Sequence, residues 1–340
     1  MLFKTIAATA VAVAIAGPAL AQVEGPEVSW RIATYGTQRA ATTSLHTIAD
    51  YVAEHTDGRF TITIGYGTLG EPREFLDLLE IGSIDGATIN ASYNPERLPG
   101  YTVLDLPFLP LGNADVQQQV HEAVHEHPAI QEEFARWNAF PFMSSLIPQY
   151  ELLGTGEPPE TIEQLDGLRI RALGGVGDAL GLLGVTPTPV PAPEAYLALE
   201  RGLVDAIAFP FYAHVSFRIY EVGDWLTTNM SLGTVGSPLV LNINSWEALP
   251  EQYQELLYEA RTEAYEDQKA AFETGDAEAL QTMTDAGLHL ITYSDEELQR
   301  FREIGARPIW DLWVESNADV APAQELLDLV LTTAEEAATN

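Results

Sequence analysis

The order in which strand-like and helix-like patterns alternate restricts this chain more than any other feature. Val28 to Ala33 alternates apolar and polar residues as a strand does. Thr37 to His55 places Leu45, Ile48, Ala49 and Val52 on one helical face. Asp57-Gly58 reads as a turn, and Phe60 to Ile64 alternates again. Pro72 stands where a helix can open, Phe75 to Ile81 continues it, and Asp85 to Asn90 forms a short strand. A β-α-β-α-β run of this kind predicts a mostly parallel sheet covered by helices.

The pattern then pauses and restarts. Leu106-Pro107-Phe108-Leu109-Pro110 is a stiff apolar connector. Asn113 is a candidate cap for a helix to about His127, with Val116, Val120 and Val124 as its buried stripe. Phe140 to Ile147 reads as a strand, and the Gly/Pro-rich passage Gly154 to Pro159 marks a crossing into a second lobe. There Leu168 to Ala172, Thr186 to Val190 and Val204 to Ala208 read as strands, alternating with helices over Val176 to Leu183 and Pro193 to Glu200. Pro238 to Ile243 is a strand returning to one sheet. A long helical stretch runs from Ser245, its expected cap, to about Ala286, with a break near Pro250. His289 to Thr292 is a short strand, and two terminal helices follow, broken by Pro308 and Pro322. The expectation is a two-lobe α/β fold with a ligand cleft between the lobes and a long connecting helix. Lobe I takes 22–147 plus about 235–285, and lobe II takes 148–234 plus about 286–340. In open α/β sheets ligands sit beyond the carboxyl ends of the strands, and two such lobes facing each other close by hinge motion.

Residues 1–21 combine Lys4, an apolar run from Ile6 to Ala16, and the small-x-small sequence Ala19-Leu20-Ala21. That is the pattern of a cleaved export signal, and the run is well short of the ~20 residues a membrane span needs. No cysteine occurs in the 340 residues, which excludes a disulfide scaffold, a thiolate metal site, a cysteine nucleophile and a lipid-modified N-terminal cysteine. The expected location is therefore a bacterial periplasm, with no stable membrane insertion. Acidic residues number 50 against 16 basic ones, a formal charge of −34, so nucleic acid and anionic membrane are disfavoured as partners. The 46% of hydrophobic residues is enough for a large core despite that charge.

An ordered set of short motifs carries the sharpest signal. Gln164-Leu165-Asp166-Gly167-Leu168-Arg169-Ile170-Arg171 is followed by Leu183-Gly184-Val185-Thr186-Pro187. Then comes Glu194-Ala195-Tyr196-Leu197-Ala198-Leu199-Glu200-Arg201-Gly202-Leu203-Val204-Asp205-Ala206. Upstream stand His55-Thr56-Asp57-Gly58-Arg59, Leu69-Gly70-Glu71-Pro72-Arg73-Glu74 and Leu106-Pro107-Phe108-Leu109; downstream stand Trp246 and Leu249-Pro250. In this order, over nearly the whole chain after residue 21, the set resembles the DctP family. These are the solute-binding subunits of TRAP (tripartite ATP-independent periplasmic) transporters. The resemblance implies a periplasmic-binding-protein fold, capture of a small organic carboxylate, and delivery to the membrane subunits of a TRAP permease. It implies no enzyme activity and no cofactor.

The family's carboxylate-binding arginine aligns with Arg171. The residues themselves support that choice, because Arg171 ends an otherwise apolar strand. A guanidinium there presents two parallel donors to a carboxylate, each charge-assisted bond contributing roughly 1.5–3 kcal/mol. The alternative is a surface arginine paired with one of the many acids. Arg169 falls where the family usually has lysine and is expected in solvent. Other pocket candidates follow strand ends: Tyr35, Asn90, Tyr150, Phe209 and Tyr212, with Gly174 at a strand-to-helix turn that permits close backbone approach. Many family members carry Asn, or Glu then Trp, at Ala208-Phe209. That departure removes metal-binding groups and leaves an aromatic face, which favours a monocarboxylate with an apolar or aromatic body. Some sialic-acid-binding members place a second arginine near Tyr150 and Glu151, so Glu151 argues against a doubly anionic ligand.

Two other classes stay open. The receptor of an ATP-driven importer, or a sensor, shares the two-lobe design. His121-Glu122-Ala123-Val124-His125 satisfies H-E-x-x-H, whose histidines on a helix can hold zinc with Glu122 activating water. Pro128 follows within a turn and no third-ligand pattern succeeds it, so the alternative is a solvated helix face that carries two histidines. Gly174-Gly175-Val176-Gly177 lacks the lysine and Ser/Thr of a phosphate loop.

Overall fold

The computed structural model describes residues 22–339. The export signal expected over residues 1–21 lies outside the described residues. Strands β1 (Val28–Thr34), β2 (Phe60–Tyr66), β3 (Gly86–Thr88) and β4 (Ala139–Ser144) build a first sheet. Strands β5 (Glu151–Gly154), β6 (Arg169–Arg171), β7 (Thr186–Pro187), β8 (Ala206–Phe209) and β9 (Trp225–Thr227) build a second. The chain then returns to the first sheet as β10 (Pro238–Asn242) and ends its strands in the second as β11 (His289–Ile291). The spatial orders are β2-β1-β3-β10-β4 and β11-β9-β5-β8-β6-β7.

Each sheet is parallel apart from one inserted strand. β1 runs parallel to β2 and β3, while β10 is antiparallel to β3 and β4. β6 runs parallel to β7 and β8, while β5 is antiparallel to β8 and β9. The sequence pattern predicted parallel sheets and did not foresee these insertions. Their cause is connectivity. β5 and β10 follow the two crossing segments directly, so they enter at the cleft, where the parallel strands end, and run away from it, whereas β11 is reached through the long helix and runs parallel to β9. The two crossing segments lie side by side. Tyr150 N donates to Gly233 O at 2.9 Å, Leu232 N to Tyr150 O at 3.1 Å, and Ser145 N to Ser237 O at 3.0 Å.

Helices cover both sheets. Thr43–His55 buries Leu45, Ile48, Ala49 and Val52, the face its periodicity predicts. Asn113 caps Ala114–Glu126 by accepting from Asp115 N and Val116 N, with Val116, Val120 and Val124 buried. The long helix is Glu251–Asp285, 35 residues and so about 50 Å in length. It touches both lobes: Tyr253 stacks on Phe60 of β2 at 5.3 Å, and Phe272 meets Tyr212 beyond β8 at 5.2 Å. Its expected cap is corrected. Asn242 caps a separate short helix, Ile243–Glu247, accepting from Ser245 N at 2.9 Å, and Pro250 precedes the long helix. The chain end also departs from the expected division. Three helices follow β11, namely Asp295–Gly305, Arg307–Asn317 and Ala323–Thr339, and the last packs on Ala114–Glu126 beside the first sheet. Trp310 Nε1 donates to Pro107 O at 2.8 Å and Trp313 Nε1 to Thr102 Oγ1 at 2.9 Å, strapping the tail across the lobes.

Candidate functional site

Arg171 is the last residue of β6 and is 1% exposed. Ile170 before it and Ala172 after it are buried apolar residues, so the strand that orients the guanidinium is fixed by packing. Its Nε donates to Val190 O at 3.0 Å and its Nη1 to Ala208 O at 3.2 Å. The Phe209 ring lies 4.4 Å from its Cζ. Those contacts use the Nε–H and one N–H of Nη1, and Nη2 has no hydrogen-bond partner among the described residues. Arg171 is in no ion pair among the described residues. Burying a charge without a counter-charge costs several kcal/mol, and that cost is relieved when an anion arrives.

A cavity of about 30 Å³ opens on this guanidinium. Tyr35, Asn90, Tyr150, Arg171, Phe209 and Tyr212 all line it, Tyr212 from the first turn of the helix Phe211–Ser216 and the others from the end of a strand or from a segment between the sheets. No aspartate or glutamate is among its lining residues. Asn90 Oδ1 accepts from Ser92 N at 3.1 Å, which turns its amide toward the opening. The phenols are buried, and burial pushes the hydroxyls of Tyr93, Tyr150 and Tyr212 above their ordinary range, so they stay neutral donors. Tyr93 Oη accepts from Ala192 N at 2.9 Å, a bond from one lobe to the other.

Other residues fall elsewhere. Gly174 lies outside this cavity and borders a neighbouring cleft of about 500 Å³ with Ser92, Asp105 and Trp313. There it has φ +48°, and a Cβ would stand 2.7 Å from Ser92 Oγ, so close approach is its role. Glu151 points away from the cavity. Its carboxylate accepts from Thr227 Oγ1 at 2.6 Å, Met230 N at 3.0 Å and Ser231 N at 2.8 Å, so its presence says nothing against a second anionic group on the ligand. Arg169 is half-exposed and pairs with Asp205 at 2.5 Å. Trp225 is buried against Thr155 O, away from the cavity.

The H-E-x-x-H helix corrects both of its readings. His121 and His125 face the core, 0% and 6% exposed, not solvent. His121 Nδ1 bonds Ser144 Oγ, and His125 Nε2 bonds Tyr101 Oη at 2.8 Å. Burial pushes His121 down to about 3 and His125 below its ordinary range. Among the described residues no group of three or more His, Asp or Glu is arranged to hold a metal ion.

Sequence reasoning missed several lining residues. Ser145, Ile147, Val235 and Ser237 come from the crossing segments, whose course depends on the antiparallel insertions. Tyr93 follows Asn90 in a 3₁₀ turn. Arg39 and Phe217 come from opposite lobes, and only the rule that ligands gather beyond strand ends pointed toward Arg39.

Residues 35–316 match the model of bacterial extracellular solute-binding protein family 7, DctP. A monocarboxylate 2-oxoacid-binding periplasmic protein of a Nostoc species is 27% identical over 291 residues, 82% of this chain and 78% of that one. An ectoine-binding periplasmic protein of Halomonas elongata is 26% identical over 285 residues, 82% of this chain and 81% of that one. Among solved structures, a TRAP solute-binding protein of Rhodoferax ferrireducens with copurified benzoate superposes with a TM-score of 0.83 at 20% identity, covering 92% of this chain and 99% of that one. One from Desulfovibrio salexigens with bound orotic acid superposes at 0.80 and 21% identity, covering 91% and 99%. No helix of the described residues is long and apolar enough to cross a membrane. The chain belongs to the DctP family of TRAP-transporter solute-binding proteins, and it is a binding protein rather than an enzyme.

Proposed function

We propose that the protein captures a small organic monocarboxylate with an apolar or ring-bearing body, gripping its carboxylate on Arg171. It then hands that solute to the membrane subunits of a TRAP permease. It does so in the periplasm, after cleavage behind Ala21. The observation that carries the reading is Arg171 itself, a guanidinium 1% exposed, without an acid partner among the described residues, and bordering a cavity that no carboxylate lines. In a chain with 50 acidic and 16 basic residues, an unpaired buried cation is a strong demand for an external anion. Phe209, Tyr35, Tyr150 and Tyr212 supply ring faces on which a planar or alkyl body stacks, with Asn90 and the phenols as donors. The Nostoc relative's 2-oxoacids and the benzoate of the Rhodoferax structure are acids of this class.

Isothermal calorimetry against a carboxylate library tests the reading. Arg171→Ala is expected to abolish binding of whichever acid the wild type takes. Undiminished affinity in a variant that melts as the wild type does would remove Arg171 from the site. Phe209→Ala is expected to weaken ring-bearing acids more than short aliphatic ones, and equal losses would remove the stacking argument.

A further inference from the structure

We propose that Arg39 is a specificity-determining residue that reads an acceptor oxygen at the end of the ligand remote from its first carboxylate. The preferred solute is then an acid bearing a second oxygen function, not a bare alkyl or aryl acid. This assignment rests on Arg171 holding the first carboxylate.

Arg39 lines the same cavity as Arg171. Its Nη1 donates to Tyr35 O at 2.6 Å and to Thr37 O at 2.9 Å, which anchors one corner of the guanidinium. Nε and Nη2 have no hydrogen-bond partner among the described residues, and Arg39 is in no ion pair among them. The group lies 5.1 Å from the Tyr35 ring and 5.4 Å from the Phe217 ring. Phe217 in turn stacks on Phe209 at 5.5 Å with 24° between the planes, and Phe209 lies under Arg171. Each guanidinium therefore lies against a different ring of one stacked pair. A ligand body lying along Phe209 and Phe217 has its carboxylate at Arg171 and its other end at Arg39. A second feature faces the same space. Thr88 is among the lining residues, and its buried Oγ1 has no hydrogen-bond partner among the described residues, so a small rotation of the hydroxyl would offer it to a polar ligand atom. No acid lines the cavity to neutralise either cation, and a planar, always-charged fork donates to hydroxyl or carbonyl oxygen and, most strongly, to a carboxylate.

Affinities for two probe series decide the matter: benzoate, 3-hydroxybenzoate and isophthalate, and hexanoate, 6-hydroxyhexanoate and adipate. In at least one series the wild type is expected to bind a bifunctional acid about tenfold or more tighter than its parent, the value of one charge-assisted bond. A preference for the hydroxy acid identifies a neutral oxygen as the partner, and a preference for the diacid identifies a carboxylate. Arg39→Gln should erase that preference by weakening the bifunctional acid about tenfold or more beyond its parent, and Arg39→Lys should keep part of it. No bifunctional preference in either series, or equal losses for parent and bifunctional acids in Arg39→Gln, would overturn the assignment. Arg171→Gln separates the two readings. It should lose parent and bifunctional acids alike, and if it does not, Arg171 fails as the anchor whatever Arg39 does.

Discussion

Asp105 is 1% exposed, and it accepts from Gly236 N at 2.6 Å and from Ser92 Oγ. Burial nevertheless pushes its pKa from 3.8 up to about 7, because desolvation of the carboxylate outweighs those two bonds. The native state thus holds a proton that the unfolded chain releases near pH 4. The stabilisation is fully present below that pH and is lost as pH rises through about 7. Asp105→Asn is expected to flatten the decline in melting temperature between pH 5 and 8, a difference on the order of a few kcal/mol. Scanning calorimetry across that range checks it, and parallel profiles for both proteins would refute it. The buried imidazoles act with the opposite sign. His121 and His214 are pushed down to about 3 by burial, so their contribution is present above pH 6.5 and lost as pH falls through about 3. Arg171 is a different case, since its charge is permanent and its geometry decides. Nε and one N–H of Nη1 are used on Val190 O and Ala208 O, which leaves Nη2 and the second N–H of Nη1 as a two-donor edge for an anion. A lysine has neither the planar edge nor the reach to do both. Arg171→Lys is expected to weaken acid binding about 10- to 100-fold, and affinity equal to wild type would sink the forked contact.

The helix Gly174–Gly181 approaches the first lobe at its N-terminal turn. A Cβ at Gly175 would stand 2.5 Å from Pro107 Cδ and 2.9 Å from Asp105 O, so backbone lies against backbone across the cleft. Gly175→Ala is expected to cost about 1–3 kcal/mol, as overpacking does, and to speed ligand release by holding the lobes apart. Gly112→Ala, with nothing within 4 Å of the added carbon, is the matched control. Stopped-flow release rates equal in the two variants would refute the contact's role in closure. At this scale the sequence was legible wherever periodicity was long enough to read. The helix Thr43–His55 showed its face because a 13-residue amphipathic helix repeats it several times. β5 and β9 showed nothing, being four and three residues long, buried throughout and without alternation. The antiparallel insertion of β5 and β10 was equally hidden, because it follows from which lobe the chain has just left. Arg171 was visible as the charge that ends a short strand between the apolar Ile170 and Ala172, and the ordered motifs supported it. Arg39 was not, because its surroundings in sequence are polar and its ring partner Phe217 comes from the other lobe. Glu151 misled for a related reason: Tyr150 ends the crossing segment at the cavity, while Glu151 opens β5 and turns its carboxylate to Thr227, Met230 and Ser231.

A cavity of about 30 Å³ has room for about one water, so an organic acid enters only if the lobes separate. Among the contacts that bridge the lobes, Tyr93 Oη accepts from Ala192 N at 2.9 Å, and Arg73, held by Tyr93 O within its own lobe, donates to Pro189 O at 3.4 Å. The crossing segments around Ser145 to Tyr150 and Leu232 to Ser237 stay bonded to each other and bend as a pair. The long helix keeps its grip on both lobes through Tyr253 and Phe272. Hinge closure about the crossings is therefore the motion this connectivity allows. A ligand favours the closed form only by binding it more tightly than the open one, and on the proposed reading Arg171, in a cavity lined from both lobes, would supply that difference. The absence of cysteine makes the motion directly measurable. Glu96 and Asp178 are exposed and stand on facing walls of the 500 Å³ cleft. With both changed to cysteine and spin-labelled, electron–electron distance measurements should show a broad distribution that shortens and narrows when a bound acid is present in excess. At about 100 times its dissociation constant that acid adds roughly 2.7 kcal/mol of stability, so the same samples should melt several degrees higher. A distance distribution that does not move while the melting temperature rises would mean that binding occurs without closure. The inter-lobe bonds of Tyr93 and Arg73 would then be permanent parts of the fold.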